Sequence, residues 1–210
     1  MKPLYWFMRL VFLTYFRLFH RHSVYGIENI VKGQAIIAPN HASYFDPPLV
    51  CASCPEEISF LAKKTLFSLF FFGSLIKKLN AYPVSGTPGD HGSLKLIYKL
   101  LSEKKKVVIF AEGFRSHEGQ LNPIKQGIGM IALRSQAPII PCYIYGTFHV
   151  WNRYRRYPRL FGKTACVFGK PIYWDNYKHM EKKAAQEAII QRLTESITEL
   201  KTEYEHMFTR

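Results

Sequence analysis

Gln34-Ala35-Ile36-Ile37-Ala38-Pro39-Asn40-His41-Ala42-Ser43-Tyr44-Phe45-Asp46-Pro47-Pro48 is the stretch on which the fold turns. Its first third is a short apolar run that ends at a proline, the pattern of a buried strand. Pro47 and Pro48 open a helix that runs to about Ser53, because proline is tolerated in a first helical turn. The loop between the two carries an imidazole, His41, and a carboxylate, Asp46, separated by four residues. A histidine that takes a proton from an alcohol needs a fixed tautomer. A carboxylate bonded to one ring nitrogen supplies it and stabilises the imidazolium that forms. Backbone N–H groups at the helix start can orient Asp46 or a developing oxyanion.

Further strands are expected at Val24–Ile30, Ile58–Ala62, Lys106–Phe110, Pro138–Gly146 and Lys163–Lys170. Helices are expected over Lys63–Leu79, Ser93–Glu103, Ile128–Ser135 and Met180–Met207. Strands alternating with helices at this rhythm predict an α/β domain with a mixed, largely parallel central sheet flanked by helices, spanning residues 23–210 as one unit. The run Lys106–Phe110 feeds straight into Ala111-Glu112-Gly113-Phe114-Arg115-Ser116, so a second strand also ends in charged residues on the edge that holds His41. Arg115 suits a bidentate contact to phosphate. Glu112, acceptor-only when ionised, suits a hydroxyl or a neighbouring cation, and Gly113 lets backbone approach a ligand closely.

Three ordered blocks, Asn40-His41 to Asp46, Phe110 to Ser116, and Ile139-Ile140-Pro141-Cys142-Tyr143-Ile144, resemble the motifs of the 1-acyl-glycerol-3-phosphate acyltransferase family over about residues 24 to 172. The resemblance implies direct acyl transfer, without an acyl-enzyme, from acyl-CoA or an acyl carrier protein to the free hydroxyl of 1-acyl-glycerol 3-phosphate, giving phosphatidic acid. It implies catalysis by His41 and Asp46 and substrate binding by Glu112, Gly113, Arg115 and Ser116. Lys63 matches the family lysine that helps hold phosphate, and Asn122-Pro123-Ile124-Lys125-Gln126-Gly127 resembles a family segment that brings in Lys125. Ala111 and Phe114 stand where the family has proline and threonine, and Ser85-Gly86 stands where it carries an arginine. That absence leaves another lysophospholipid or glycerol 3-phosphate open as acceptor. No G-x-S-x-G elbow is present and no cluster has metal-ligand spacing, so neither a serine-hydrolase route, a metal nor a cofactor is expected.

The formal charge of +14 and an aromatic content of 15% predict a surface that meets something anionic. Met1–Phe19 is apolar and aromatic apart from Lys2, Arg9 and Arg17, and two arginines at different depths argue against a clean span. Residues 1–22 are therefore read as an interfacial helix on an anionic membrane, with Trp6, Phe7, Leu10, Phe12, Leu13 and Phe16 entering the acyl layer and both arginines at the headgroups. Trp151 to Arg159 interleaves arginine with aromatics, which suits lipid, a phosphorylated acyl donor or single-stranded nucleic acid. A basic nucleic-acid-binding or peripheral membrane protein is the non-enzyme alternative. Nucleic acid is not the expected partner, because it leaves the hydrophobic N-terminal segment and the His41–Asp46 pair unexplained. Four cysteines without a second Cys pair or a cleavable leader predict reduced thiols and a protein at the cytoplasmic face of a membrane.

Overall fold

The computed structural model describes residues 3–87 and 90–208. Met1 and Lys2 of the N-terminal segment, and Pro88 and Gly89 of the loop after Thr87, lie outside them. Seven strands form one sheet in the order β1-β7-β6-β2-β5-β3-β4. They are β1 (Ser23–Tyr25), β2 (Ala35–Pro39), β3 (Ile58–Lys63), β4 (Ala81–Val84), β5 (Lys106–Val108), β6 (Ile139–Tyr145) and β7 (Ala165–Phe168). All neighbours run parallel except β6 and β7. Parallel pairing needs crossovers that cover both faces of the sheet, and β2 is buried at every position. On one face pack α1 (Pro3–His20), α2 (Asp46–Ser53) and α3 (Phe70–Lys78). On the other lie α4 (His91–Ser102), α5 (Gly127–Ser135) and α7 (Lys182–Phe208). The short α6 (Thr147–Trp151) caps the carboxyl end of β6.

Two expected elements are shorter than their apolar runs. The strand expected over Val24–Ile30 stops at Tyr25, because Gly26 turns at φ 71° into a 3-10 turn over Ile27–Asn29. A Cβ on Gly26 would lie 2.0 Å from the Phe168 carbonyl oxygen, so only glycine lets the chain pass β7 this closely. The helix expected over Lys63–Leu79 is split: β3 runs through Lys63, a 3-10 turn covers Lys64–Ser68, and α3 starts at Phe70. The turn folds back on Gly73, where a Cβ would lie 2.2 Å from the Phe67 oxygen. Phe67, Leu75 and Ile76 pack on the core while Phe70 and Phe71 stay exposed.

The N-terminal helix corrects part of the interfacial reading. Phe16 and Tyr5 are both fully buried, the Tyr5 hydroxyl accepting from the Ile58 N–H, and Trp6, Phe12 and Leu13 pack against the core. Arg9 donates to the Cys54 carbonyl oxygen at 2.7 Å instead of reaching outward. The exposed stripe is Phe7, Leu10, Val11 and Leu18, with Arg17 beside it. Periodicity alone cannot tell a core-facing aromatic from a lipid-facing one, because both surroundings are apolar. Among the described residues, no helix is long and apolar enough to cross a membrane. All four cysteines are buried.

Candidate active site

Parallel pairing brings the carboxyl ends of β2, β3, β5 and β6 to one edge, where α/β proteins build their sites. Pro39 has no N–H to extend the ladder. Asn40 takes over with its side chain: its amide nitrogen donates to the Ile144 oxygen, and its amide oxygen accepts from the Ile144 N–H at 2.7 Å. The end of β2 is thereby locked to β6, and the next residue is His41.

The His41 Nδ1 lies 2.7 Å from Asp46 Oδ2. Asp46 is fully buried as the first residue of α2, and the same oxygen accepts from the N–H groups of Ala42 and Ser43, each at 2.7 Å. Its other oxygen accepts from the Thr147 hydroxyl at 2.6 Å, at the start of α6. With Nδ1 donating to the carboxylate, the lone pair of the ring lies on Nε2. The imidazole is clamped against the Phe110 ring, centroids 4.0 Å apart at 23°, yet keeps a side-chain exposure of 17%. The ring is held on one nitrogen and one face and remains open to a substrate.

The second motif loop is tied to the first through its backbone. Glu112 accepts from the His41 N–H at 2.8 Å with one oxygen, and from the backbone and side-chain amides of Asn122 with the other. Burial pushes the Glu112 carboxyl above the usual carboxylate range, against those hydrogen bonds, which pull it down. The Ser116 N–H donates to the His41 oxygen at 2.7 Å. Gly113 turns at φ 79°, and Lys125 crosses beside it with its ammonium 5.4 Å from the Phe114 ring centre. The Arg115 guanidinium lies 3.7 Å over the Tyr44 ring, and its Nη1 is buried without a hydrogen-bond partner. Lys63 is exposed at the end of β3, alongside Gly86. The loop that replaces the family arginine is committed elsewhere, since the Ser85 N–H and hydroxyl both donate to Asp90, the N-cap of α4.

His41, Asp46, Glu112, Gly113, Arg115 and Ser116 thus form one connected cluster, with Lys125 at its rim and Lys63 on the neighbouring strand. Sequence reading did not find Thr147, and it named Asn122 and Trp151 only as members of longer stretches, without these contacts. Ser43 Oγ donates to the Trp151 carbonyl oxygen at 2.7 Å, and the rings of Tyr44 and Phe45 each lie 5.0 Å from the Trp151 ring. Their signal was positional: Thr147 and Trp151 follow the end of a strand that pairs with β2. Beside Asn40 and Glu112 opens a cavity of about 500 Å3, walled by apolar side chains such as Leu121, Ile124, Ile190 and Ile197. Thr194 and Thr198 of α7 line it too, but their hydroxyls donate back to helix carbonyls four residues earlier. Among the described residues, no group of three or more His, Cys, Asp or Glu is placed to hold a metal ion.

Comparison with known proteins gives the family. The chain is 30% identical over 187 residues to a 1-acyl-sn-glycerol-3-phosphate acyltransferase of Bacillus subtilis, covering 88% of this chain and 90% of that protein. It is 26% identical to an acyltransferase of the same name from Streptococcus pneumoniae, covering 77% of this chain and 58% of that one. Its fold matches the crystal structure of the 1-acyl-sn-glycerophosphate acyltransferase PlsC from Thermotoga maritima with a TM-score of 0.71 and 25% identity, over 92% of this chain and 78% of that one. A family model described as Acyltransferase matches residues 21–145, the span that holds His41, Asp46 and the whole Glu112–Ser116 loop, and the chain belongs to that acyltransferase family.

Proposed function

We propose that this protein transfers a fatty acyl group from a thioester, acyl-CoA or an acyl carrier protein, to the free hydroxyl of 1-acyl-glycerol 3-phosphate, giving phosphatidic acid. The observation that carries this reading is the His41–Asp46 pair, with Nδ1 held by a buried carboxylate and the ring open on its other side. His41 Nε2 takes the proton of the acceptor hydroxyl as its oxygen attacks the thioester carbonyl. The tetrahedral intermediate collapses, the C–S bond breaks, and the imidazolium returns the proton to the thiolate. Asp46 holds the tautomer and balances the imidazolium charge.

Glu112 and Ser116 act as positioning residues, because their bonds go to the His41 backbone. Gly113 keeps the loop close to the ligand. Arg115 is the main phosphate ligand: its free buried N–H is supported by the Tyr44 ring, and a phosphate oxygen would satisfy it. Lys63 and Lys125 add charge from either side. The exposed Leu66, Leu69, Phe70 and Phe71 next to Lys63, and the stripe on α1, support work at a membrane surface; the proposed surface is anionic and lies on the cytoplasmic face. The cavity beside Glu112 is the place for an acyl chain, being apolar with its polar wall groups already partnered. The curated relatives support the acceptor. The commitment of Ser85 to Asp90 favours a second reading in which a different lysophospholipid or glycerol 3-phosphate is the better acceptor.

The test is a labelled acyl thioester offered with lysophosphatidate, other lysophospholipids and glycerol 3-phosphate in parallel. Labelled phosphatidic acid, formed fastest from lysophosphatidate, is the expected result. Faster product from another acceptor moves the assignment to that acceptor.

A further inference from the structure

The loop from Ala111 to His117 belongs to no strand or helix, and it carries Arg115, assigned above to the acceptor phosphate. One side of the loop is tied to His41 through Glu112 and Ser116. Arg115 itself is held from the other side, by the segment that ends α6 and follows it. Its guanidinium rests on the Tyr44 ring, and the Tyr44 N–H donates to the Trp151 oxygen at 3.3 Å. Its carbonyl oxygen accepts from Arg153 Nη1 at 3.4 Å. The holding segment is itself braced, since Asn152 donates to the Phe148 oxygen and accepts from the Tyr154 N–H in an Asx turn.

Arg153 is steered in turn by His117. The same Nη1 lies 2.6 Å from His117 Nε2, and His117 Nδ1 lies 3.0 Å from the Tyr154 hydroxyl oxygen. A guanidinium has donors and no acceptor, so Nε2 must carry the lone pair. The ring is therefore neutral here, and Nδ1 donates to Tyr154. A second ring proton would set two donors face to face. Arg153 and Tyr154 are the groups that touch His117, and Arg115 and Glu118 are the charged residues beside it in its own loop. His117, Arg153 and Tyr154 are all exposed, so the core does not depend on them. Resting on the acyl-transfer reading, we propose that Arg153 and His117 are positioning residues for Arg115: they latch the motif loop to the Trp151–Tyr154 segment, and the latch opens when His117 takes up a proton. The acceptor phosphate then meets an arginine already in place, and its binding does not have to include the ordering of the loop. The bonds of His41 to Asp46, Glu112 and Ser116 pass through neither residue, so the latch sets acceptor affinity rather than the chemical step.

The experiment compares wild type with Arg153→Met, His117→Leu and His117→Gln, whose amide oxygen keeps an acceptor for Arg153 and does not titrate. The KM for lysophosphatidate, the KM for the thioester and kcat are measured separately, with melting curves on the same preparations. Arg153→Met should raise the KM for lysophosphatidate about tenfold, the worth of a charge-assisted hydrogen bond, with kcat and the thioester KM within about twofold of wild type. His117→Leu should raise it in the same direction, and His117→Gln should restore it near pH 8. Between about pH 8 and pH 5, where imidazoles charge, the lysophosphatidate KM of wild type should climb above that of His117→Gln. Taking this ratio cancels the titration of His41 and of the substrate phosphate, which both proteins share. An unchanged lysophosphatidate KM in Arg153→Met, an equal rise in the thioester KM, a fall confined to kcat, or a ratio that stays flat with pH each overturns the proposal. Binding of glycerol 3-phosphate, which carries the same phosphomonoester, is followed by calorimetry in the same proteins and should weaken about tenfold in Arg153→Met. Absence of transfer from every thioester would defeat the acyl-transfer reading instead, and the calorimetry would still decide whether the latch positions a phosphate site: equal binding by wild type and Arg153→Met, or none by wild type, overturns it.

Discussion

Asp46 is surrounded by four donors, from His41, Ala42, Ser43 and Thr147, so its buried charge is balanced by hydrogen bonds rather than by a cation. Removing one of them leaves a carboxylate oxygen short of a partner, which costs on the order of 1–3 kcal/mol. Thr147→Val should therefore leave the protein folded but lower kcat about tenfold, read in the acceptor assay beside its melting curve. A second buried group gives a pH dependence. His22 bridges Ser53 and Thr164, and burial pulls its imidazole down to about 4. The unfolded chain binds a proton below about pH 6.5 while the folded one stays neutral, so stability is full above that pH and falls as pH drops toward 4, by about 3 kcal/mol. Denaturant melts of His22→Gln across this range should show a shallower acid loss than wild type; equal slopes would remove His22 as the cause.

At the scale of elements, the site was legible where its parts are local. The strand ending at Pro39, the prolines opening α2 and the His41-to-Asp46 spacing all lie within one turn of chain, so sequence order reports spatial order. Thr147 lies 101 residues from Asp46 and is brought to it only by the pairing of β2 with β6, which no local pattern encodes. The break before α3 was hidden for a related reason: the close approach of Phe67 to Gly73 is a tertiary fact, and the apolar run continues across it. The N-terminal helix packs on the core along one face, and the proposed membrane contact falls on the other, so substitutions separate them. Phe16→Ala should cost about 3–5 kcal/mol, as truncation of a buried aromatic does. Leu10→Ser/Leu18→Ser should keep the melting temperature within about 2 °C and weaken liposome binding, because those side chains are exposed. Unchanged liposome binding would remove the exposed stripe from the membrane assignment. Deleting the helix outright would not test the proposed membrane contact, because Tyr5 and Phe16 belong to the core.

The whole molecule is a basic sheet-and-helix body whose reactive edge carries cations on both flanks, Lys63 beside an exposed aromatic cluster and the arginines of residues 153–159 beyond Trp151. With a formal charge of +14, adsorption to vesicles containing anionic lipid should weaken steeply as salt rises from about 0.05 to 0.5 M, while adsorption to neutral vesicles should be weak throughout. Sedimentation with vesicles of each composition measures this, and salt-independent binding would assign the contact to apolar insertion alone. In the proposed reaction His41 is the group that takes the proton. The most direct measurement is the rate of acyl transfer by His41→Ala beside wild type, with folding and vesicle binding checked on the same preparations. The expected result is a folded, membrane-binding protein whose transfer falls by about 10²–10⁴-fold, the usual worth of a positioned general base. Transfer within a few-fold of wild type would contradict the mechanism and leave the His41–Asp46 pair as part of the scaffold.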